Sequence, residues 1–158
     1  MRVDEARVGF GFDVHARAGG RPLHLGGVLF EDEEGLAGHS DGDVVCHAIA
    51  DALLGAAVLG DLGDRFPDAD PAYVDIAGLD LLGRAVAILD EAGRRPEGCD
   101  VTVICERPAI GPRRQEMRTA LASALGISAD RVSVKATRPE GLGLSGDGVG
   151  AMAIATVA

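Results

Sequence analysis

Tryptophan is absent and aromatic residues make up only 3% of the chain, so its core has to be aliphatic. Basic residues are outnumbered, 15 against 25 acidic ones, and the formal net charge is −10. That balance argues against a nucleic-acid face or an anionic membrane surface. An anionic substrate remains possible, because a bound cation reverses the local field. Cys46, Cys99 and Cys105 contain no CxxC and cannot all pair, which points to small reduced thiols in a cytoplasmic protein. The opening Met1-Arg2-Val3-Asp4-Glu5 has no apolar segment and does not read as a signal peptide. The longest apolar stretch, 44–60, is interrupted by His47 and Asp51 and is too short and polar to span a bilayer. Also missing are a Walker loop, a G-x-S-x-G elbow and a Ser-His-Asp order. Gly9-Phe10-Gly11 lacks the third glycine of a dinucleotide fingerprint.

What remains is one domain over residues 1–158, a length that buries about 70% of the unfolded surface. Residues 7–14 read as a strand whose Gly9 and Gly11 predict close approach of another backbone or a ligand. Residues 23–25 and 28–30 flank Gly26-Gly27, a two-residue hairpin signal, with His24 as an exposed strand residue. The acidic run Glu31 to Glu34 reads as solvated loop. Ser40 followed by Asp43 resembles a capping box and predicts a helix beginning near Asp41. It runs to Leu59 and is closed by Gly60. Residues 61–71 read as a long polar loop. Helices over 75–92 and 115–125, strands over 100–105, 131–136 and 151–157, and a Gly-rich loop over 137–150 complete the chain. The fold class predicted is α+β, a single-domain mixed sheet with helices packed on one face.

The chemistry concentrates in Gly38-His39-Ser40-Asp41-Gly42-Asp43-Val44-Val45-Cys46-His47. Asp43, His47 and Asp51 are spaced i, i+4, i+8 on one helix face. In a strand Asp13 and His15 point the same way, so Asp13, His15 and His47 can meet at one divalent ion. Three protein ligands with an open position suit a catalytic zinc. The alternative, His15 as a loop residue and His47 as a satisfied polar group at a helix–strand junction, also fits, and spacing does not choose between the two. The amides of His39 and Ser40, near the expected helix start, are candidates for phosphate. Glu140 offers oxygen to magnesium.

Gly9-Phe10-Gly11-Phe12-Asp13-Val14-His15, the decapeptide, Asp61-Leu62-Gly63, Phe66-Pro67-Asp68 and Val134-Lys135-Ala136-Thr137 together resemble the 2-C-methyl-D-erythritol 2,4-cyclodiphosphate synthase family. The likeness runs in order from about Arg7 to the C-terminus. It implies a metal-dependent cyclase of the non-mevalonate isoprenoid pathway, in which the 2-phosphate of a CDP-linked substrate attacks the β-phosphorus and CMP leaves. It implies Zn2+ on Asp13, His15 and His47, and Mg2+ or Mn2+ on Glu140. His39 and Ser40 would contact phosphate, with His39 and Arg138 catalytic. Asp61, Leu62, Gly63 and the lid Phe66, Pro67, Asp68, Ala69 and Asp70 would meet substrate hydroxyls. Cys105, Glu106, Arg107, Pro108, Ala109, Ile110 and Gly111 would cradle cytosine, while Thr137, Arg138, Pro139 and Leu144 complete the substrate contacts. The family is homotrimeric, with active sites between subunits.

Three positions depart from that pattern. Arg138 replaces a threonine that the family uses in stabilising the transition state, and Ala109 replaces a lysine in the cytosine loop. Asp147 replaces an arginine that faces the three-fold axis and can hold an isoprenoid diphosphate, so this chain is expected not to bind one there. A catalytically impaired relative, or a zinc phosphodiesterase acting on another CDP-linked compound, are the rival readings.

Overall fold

The structure, a computed structural model, describes residues 5–143 and 145–158. Strand β1 (Arg7–Ala18) leads into a hairpin, β2 (Leu23–Leu25) and β3 (Val28–Phe30), and then into a short β4 (Gly35–Leu36). Helix α1 (Val44–Ala57), the single turn α2 (Leu62–Arg65) and α3 (Gly78–Glu91) follow. The chain ends with β5 (Pro96–Ile104), α4 (Arg114–Leu125), β6 (Val132–Thr137) and β7 (Gly148–Val157). The main sheet has the order β4-β1-β7-β5-β6, with only β5 and β6 parallel.

Alternation decides which face each strand buries. Val101 and Val103 of β5, Val132 and Val134 of β6, and Ala151, Ala153 and Ala155 of β7 point inward and are buried. Helices α1 and α4 cover this face, and α3 packs on α1 and α4. The other face keeps Val8, Phe10, Phe12, Val14, Met152 and Ile154 exposed. The mixed α+β sheet with helices on one face is therefore as predicted.

On β1 the inward positions are Gly9, Gly11, Asp13 and His15. A Cβ on Gly9 would stand 2.0 Å from the carbonyl oxygen of Ala52, and one on Gly11 2.0 Å from that of Ala48. The two glycines thus let α1 lie directly on the strand. Each two-residue step along β1 advances one turn toward the N-terminus of α1, from Ala52 to Ala48. The next step carries Asp13 to His47.

Several boundaries differ from the sequence reading. Strand β1 runs on through His15 to Ala18, because it keeps pairing with β7 as far as Ala16 and Gly148 and then pairs with β4. Helix α1 begins at Val44, not near Asp41, and Ser40 and Asp43 form no capping box. Asp43 is the N-cap, its carboxylate accepting from the amides of Val45 and Cys46 at 3.2 Å. The same carboxylate accepts from Gly26 and Gly27 at 2.9 and 2.8 Å, so the hairpin turn and the helix share one cap. Val58, left-handed at φ 59°, ends α1 in place of Gly60. Helix α3 starts at Gly78 rather than at 75, because Asp75 is itself left-handed (φ 57°) and Ala77 is extended. Residues 61–71 are no open loop: Asp61 and Asp64 form a capping box around α2, and Asp70 caps a 3-10 turn at Pro71–Tyr73. His24 is half-buried rather than exposed. Glu33, in the run assigned no role, pairs with Arg17 and Arg107 at 3.4 Å. All three cysteines are free and buried.

Candidate metal centre and active site

Asp13 Oδ2 lies 2.9 Å from His15 Nε2 and 2.9 Å from His47 Nδ1. Among the described residues these three side chains form a group able to hold a metal, with one donor atom each and all within 4.8 Å. Zinc ligands at about 2.0–2.1 Å in a tetrahedron stand about 3.3 Å apart, so the two Asp13–histidine pairs fit such an ion after a few tenths of an ångström of opening, with the two imidazole donors brought to a matching separation. His47 is almost fully buried, and its Nε2 lies 3.0 Å from the Ser40 hydroxyl. With a metal on Nδ1, Nε2 would carry the proton and donate to Ser40, which would fix the ring. The Ser40 oxygen also accepts from the Gly42 amide at 3.1 Å.

The charges agree with this geometry. Burial opposes ionisation of Asp13, but hydrogen bonds from His15 and His47 outweigh it and hold the carboxyl well below its ordinary range. The hydrogen bond to Asp13 raises His15 above its ordinary value, although burial works in the opposite direction.

The cluster opens on a cavity of about 270 Å³ that also receives His39, Ser40, Leu62, Gly63, Phe66 and Asp68. His39 Nδ1 stands 4.0 Å from Asp68, and both side chains are mostly exposed. Tyr73, Ile76 and Leu81 line the same space. The sequence reading missed them, although Tyr73 is the only tyrosine of the chain. Its ring meets Phe66 edge-on at 5.2 Å, and Arg84 lies over it at 5.6 Å.

The remaining site candidates do not reach this cavity. Asp61 and Asp70 are turn caps, and Pro67 and Ala69 are exposed between them. Cys105, Pro108, Ala109, Ile110, Thr137 and Arg138 gather around a separate space of about 220 Å³. Glu106 and Arg107 border a third with Asp147, and Glu106 accepts from the Gly141 amide at 3.1 Å. Gly111 opens a 3-10 turn, Pro139 is buried, and Glu140 is exposed with φ 53° and outside the metal group. Leu144 lies outside the described residues. The expected helix start at the His39 and Ser40 amides is displaced: three residues lie between Ser40 and Val44, and the Asp43 carboxylate accepts from the first-turn amides of Val45 and Cys46. The helix dipole therefore has no open end at His39 and Ser40. Asp51, expected beside His47, instead accepts from the Leu62 amide at 3.0 Å.

A family profile described as the YgbB family matches residues 6–158. A protein of Symbiobacterium thermophilum named 2-C-methyl-D-erythritol 2,4-cyclodiphosphate synthase is 52% identical over 153 residues, 96% of this chain and 98% of that one. A bifunctional IspDF structure from Campylobacter jejuni superposes with TM-score 0.91 at 37% identity, over 97% of this chain and 42% of that one. A 2C-methyl-D-erythritol-2,4-cyclodiphosphate synthase in its CDP-bound form gives TM-score 0.87 at 34% identity, over 96% and 100%.

Proposed function

The chain belongs to the YgbB family, and from that premise we propose that it forms 2-C-methyl-D-erythritol 2,4-cyclodiphosphate, the product for which its full-length relatives are named. The reaction is a phosphoryl transfer within one molecule and belongs to isoprenoid precursor synthesis. The 2-phosphate of 4-diphosphocytidyl-2-C-methyl-D-erythritol 2-phosphate attacks the β-phosphorus as the bond to CMP breaks. The attacking oxygen comes from the substrate, so no protein nucleophile is required. Catalysis then rests on positioning and on neutralising charge.

The observation that carries this reading is the Asp13, His15 and His47 group at the floor of a cavity. Asp13, His15 and His47 would hold zinc, which would supply Lewis-acid polarisation of a phosphate. His39 would face the transferred phosphate, and the Ser40 hydroxyl, which accepts from the Gly42 amide and would accept from His47 Nε2 once a metal took Nδ1, would keep its proton for a phosphate oxygen. Gly63, Phe66 and Asp68 line the space for the substrate hydroxyls, and Asp61, Pro67, Ala69 and Asp70, which stand outside it, would reach them only as residues 66–70 close as a lid. Cys105 to Gly111 would hold cytosine, with Thr137 and Arg138 at the diphosphate, and Glu140 would hold Mg2+ or Mn2+, which would neutralise diphosphate charge.

These two halves belong to one site if the chain is a homotrimer whose subunits meet at the bare sheet face. The exposure of Phe10 (61%) and Ile154 (49%) supports that assembly, because apolar patches of this kind mark interfaces. Among the described residues no helix is long and apolar enough to cross a membrane, which is consistent with a cytoplasmic enzyme. The test is incubation of the pure protein with zinc, magnesium and the diphosphocytidyl substrate. CMP release with a cyclic diphosphate in the phosphorus NMR spectrum is expected, from a species that sediments as three chains. Retained zinc and CDP binding without CMP release would instead indicate a catalytically impaired relative. CMP release from other CDP-alcohols alone would indicate the phosphodiesterase.

A further inference from the structure

Residues 37–43, between β4 and α1, carry His39 and Ser40 but no regular hydrogen bonding of their own. Their backbone is held from outside. The Ala37 amide donates to Ala16 at 2.9 Å, the Asp75 amide donates to the His39 carbonyl at 2.6 Å, and the Asp41 amide donates to Ile76 at 3.1 Å. The carbonyls on the other side, at Leu36, Gly38 and Ser40, all accept from one side chain. Arg21 Nη1 donates to Leu36 and Gly38 at 2.8 Å each, and Arg21 Nη2 donates to Ser40. In extended chain every second carbonyl points the same way. A planar guanidinium with donors in a fixed fork is the one side chain able to collect three of them.

The consequences reach the metal group. Ser40 holds His47 through Nε2, and His47 meets Asp13 through Nδ1. A Cβ on Gly38 would stand 3.4 Å from His15 Cε1, so the clamped segment also backs the second imidazole. Arg21 itself borders a different cavity, of about 440 Å³, shared with His24, Asp41 and Asp75. It is not among the residues that line the cavity of the metal group.

We propose that Arg21 is a positioning residue for the cyclisation, fixing residues 36–40 so that His39 and Ser40 sit against the transferred phosphate. This rests on the functional reading above, in which those two residues face the phosphate. A displacement of about 1 Å in such groups costs on the order of 100-fold in rate. Because Arg21 contacts backbone and not substrate, its loss lowers kcat and leaves KM and zinc content nearly unchanged.

The test compares the zinc-loaded full chain with Arg21→Ala and Arg21→Lys. For Arg21→Ala, kcat for CMP release is expected to fall about 10- to 100-fold, with KM within about threefold and one zinc per chain retained. Millimolar guanidinium, entering from the 440 Å³ cavity, should restore part of kcat to Arg21→Ala and add nothing to the unsubstituted protein. Arg21→Lys, whose single nitrogen cannot span three carbonyls, should fall between the two. Wild-type kcat in folded Arg21→Ala overturns the proposal, as does a loss matched by the unfolded fraction with no rescue. If Arg21→Ala does not fold, Arg21→Lys decides: wild-type kcat overturns the proposal, and a drop at constant KM supports it. The functional reading is tested separately by CMP release from the unsubstituted protein. If that fails, the amide resonances of His39 and Ser40 still decide the clamp, which is upheld if they shift or broaden in either variant and overturned if they do not.

Discussion

Asp13 Oδ2 and His47 Nδ1 lie 2.9 Å apart although 34 residues separate them in the chain. The contact exists because Gly9 and Gly11 let α1 settle on β1, which sets the strand position that meets each helix turn. Four predictions test this arrangement.

In the proposed zinc site, His47→Ala would remove the one ligand contributed by α1 and leave Asp13 and His15 as an incomplete set. Zinc content by elemental analysis is expected to fall from about one per chain to near zero, and CMP release to fall at least about 100-fold with it. An unchanged metal content would exclude His47 as a ligand.

The pH dependence of the metal-free protein has two opposed limbs. Asp13 is held below its ordinary 3.8, so its contribution to stability is present above that value and is lost as pH falls through the folded-state value. His15 is raised above 6.5, so its contribution is complete below 6.5 and is lost as pH rises through the raised value. The local contribution of this group to metal-free stability is therefore greatest in the mildly acidic range between them. Zinc has to displace the His15 proton, so its affinity and the thermal shift it produces grow with pH. Melting curves with and without zinc from pH 5 to 8 measure both trends. A zinc shift independent of pH would contradict them.

Gly11→Ala places a methyl group 2.0 Å from the Ala48 carbonyl oxygen, and backbone at a strand–helix contact cannot swing aside. A loss of about 3 kcal/mol or more is expected, read as a lower urea midpoint, together with weaker zinc binding as α1 is lifted from Asp13. A midpoint equal to that of the unsubstituted protein would show that the close approach does not exist.

Asp43→Ala leaves the amides of Gly26, Gly27, Val45 and Cys46 without their acceptor in a fully buried position. The expected cost is about 3–5 kcal/mol. Asp43→Asn, which keeps one acceptor oxygen, should cost less. Equal denaturation midpoints for the two variants would show that the shared cap is not what couples the hairpin to α1.

How much was legible in the chain follows from how far each decision reaches. The hairpin around Gly26-Gly27 is local, and it appears as the residues predict. The limits of α1 were not legible, because the Asp43 carboxylate is claimed partly by amides 16 and 17 residues earlier. The aspartates of 61–70 read as a loose acidic loop, yet Asp61, Asp64 and Asp70 each cap a turn. Arg21 carries no motif at all, and its role appears only once the carbonyls of Leu36, Gly38 and Ser40 stand in a row before it.

By itself the sequence determined the donor types, the shared side of Asp13 and His15 on a strand, and the paired glycines that leave room there for another backbone or a ligand. These follow from the period of two and from the missing Cβ, which need no partner. The tertiary structure alone decided that His47 completes the group, that Ser40 orients it, and that the cytosine-loop candidates stand around a separate cavity. Those relations depend on which strand position meets which helix turn, and only packing of the whole chain settles that.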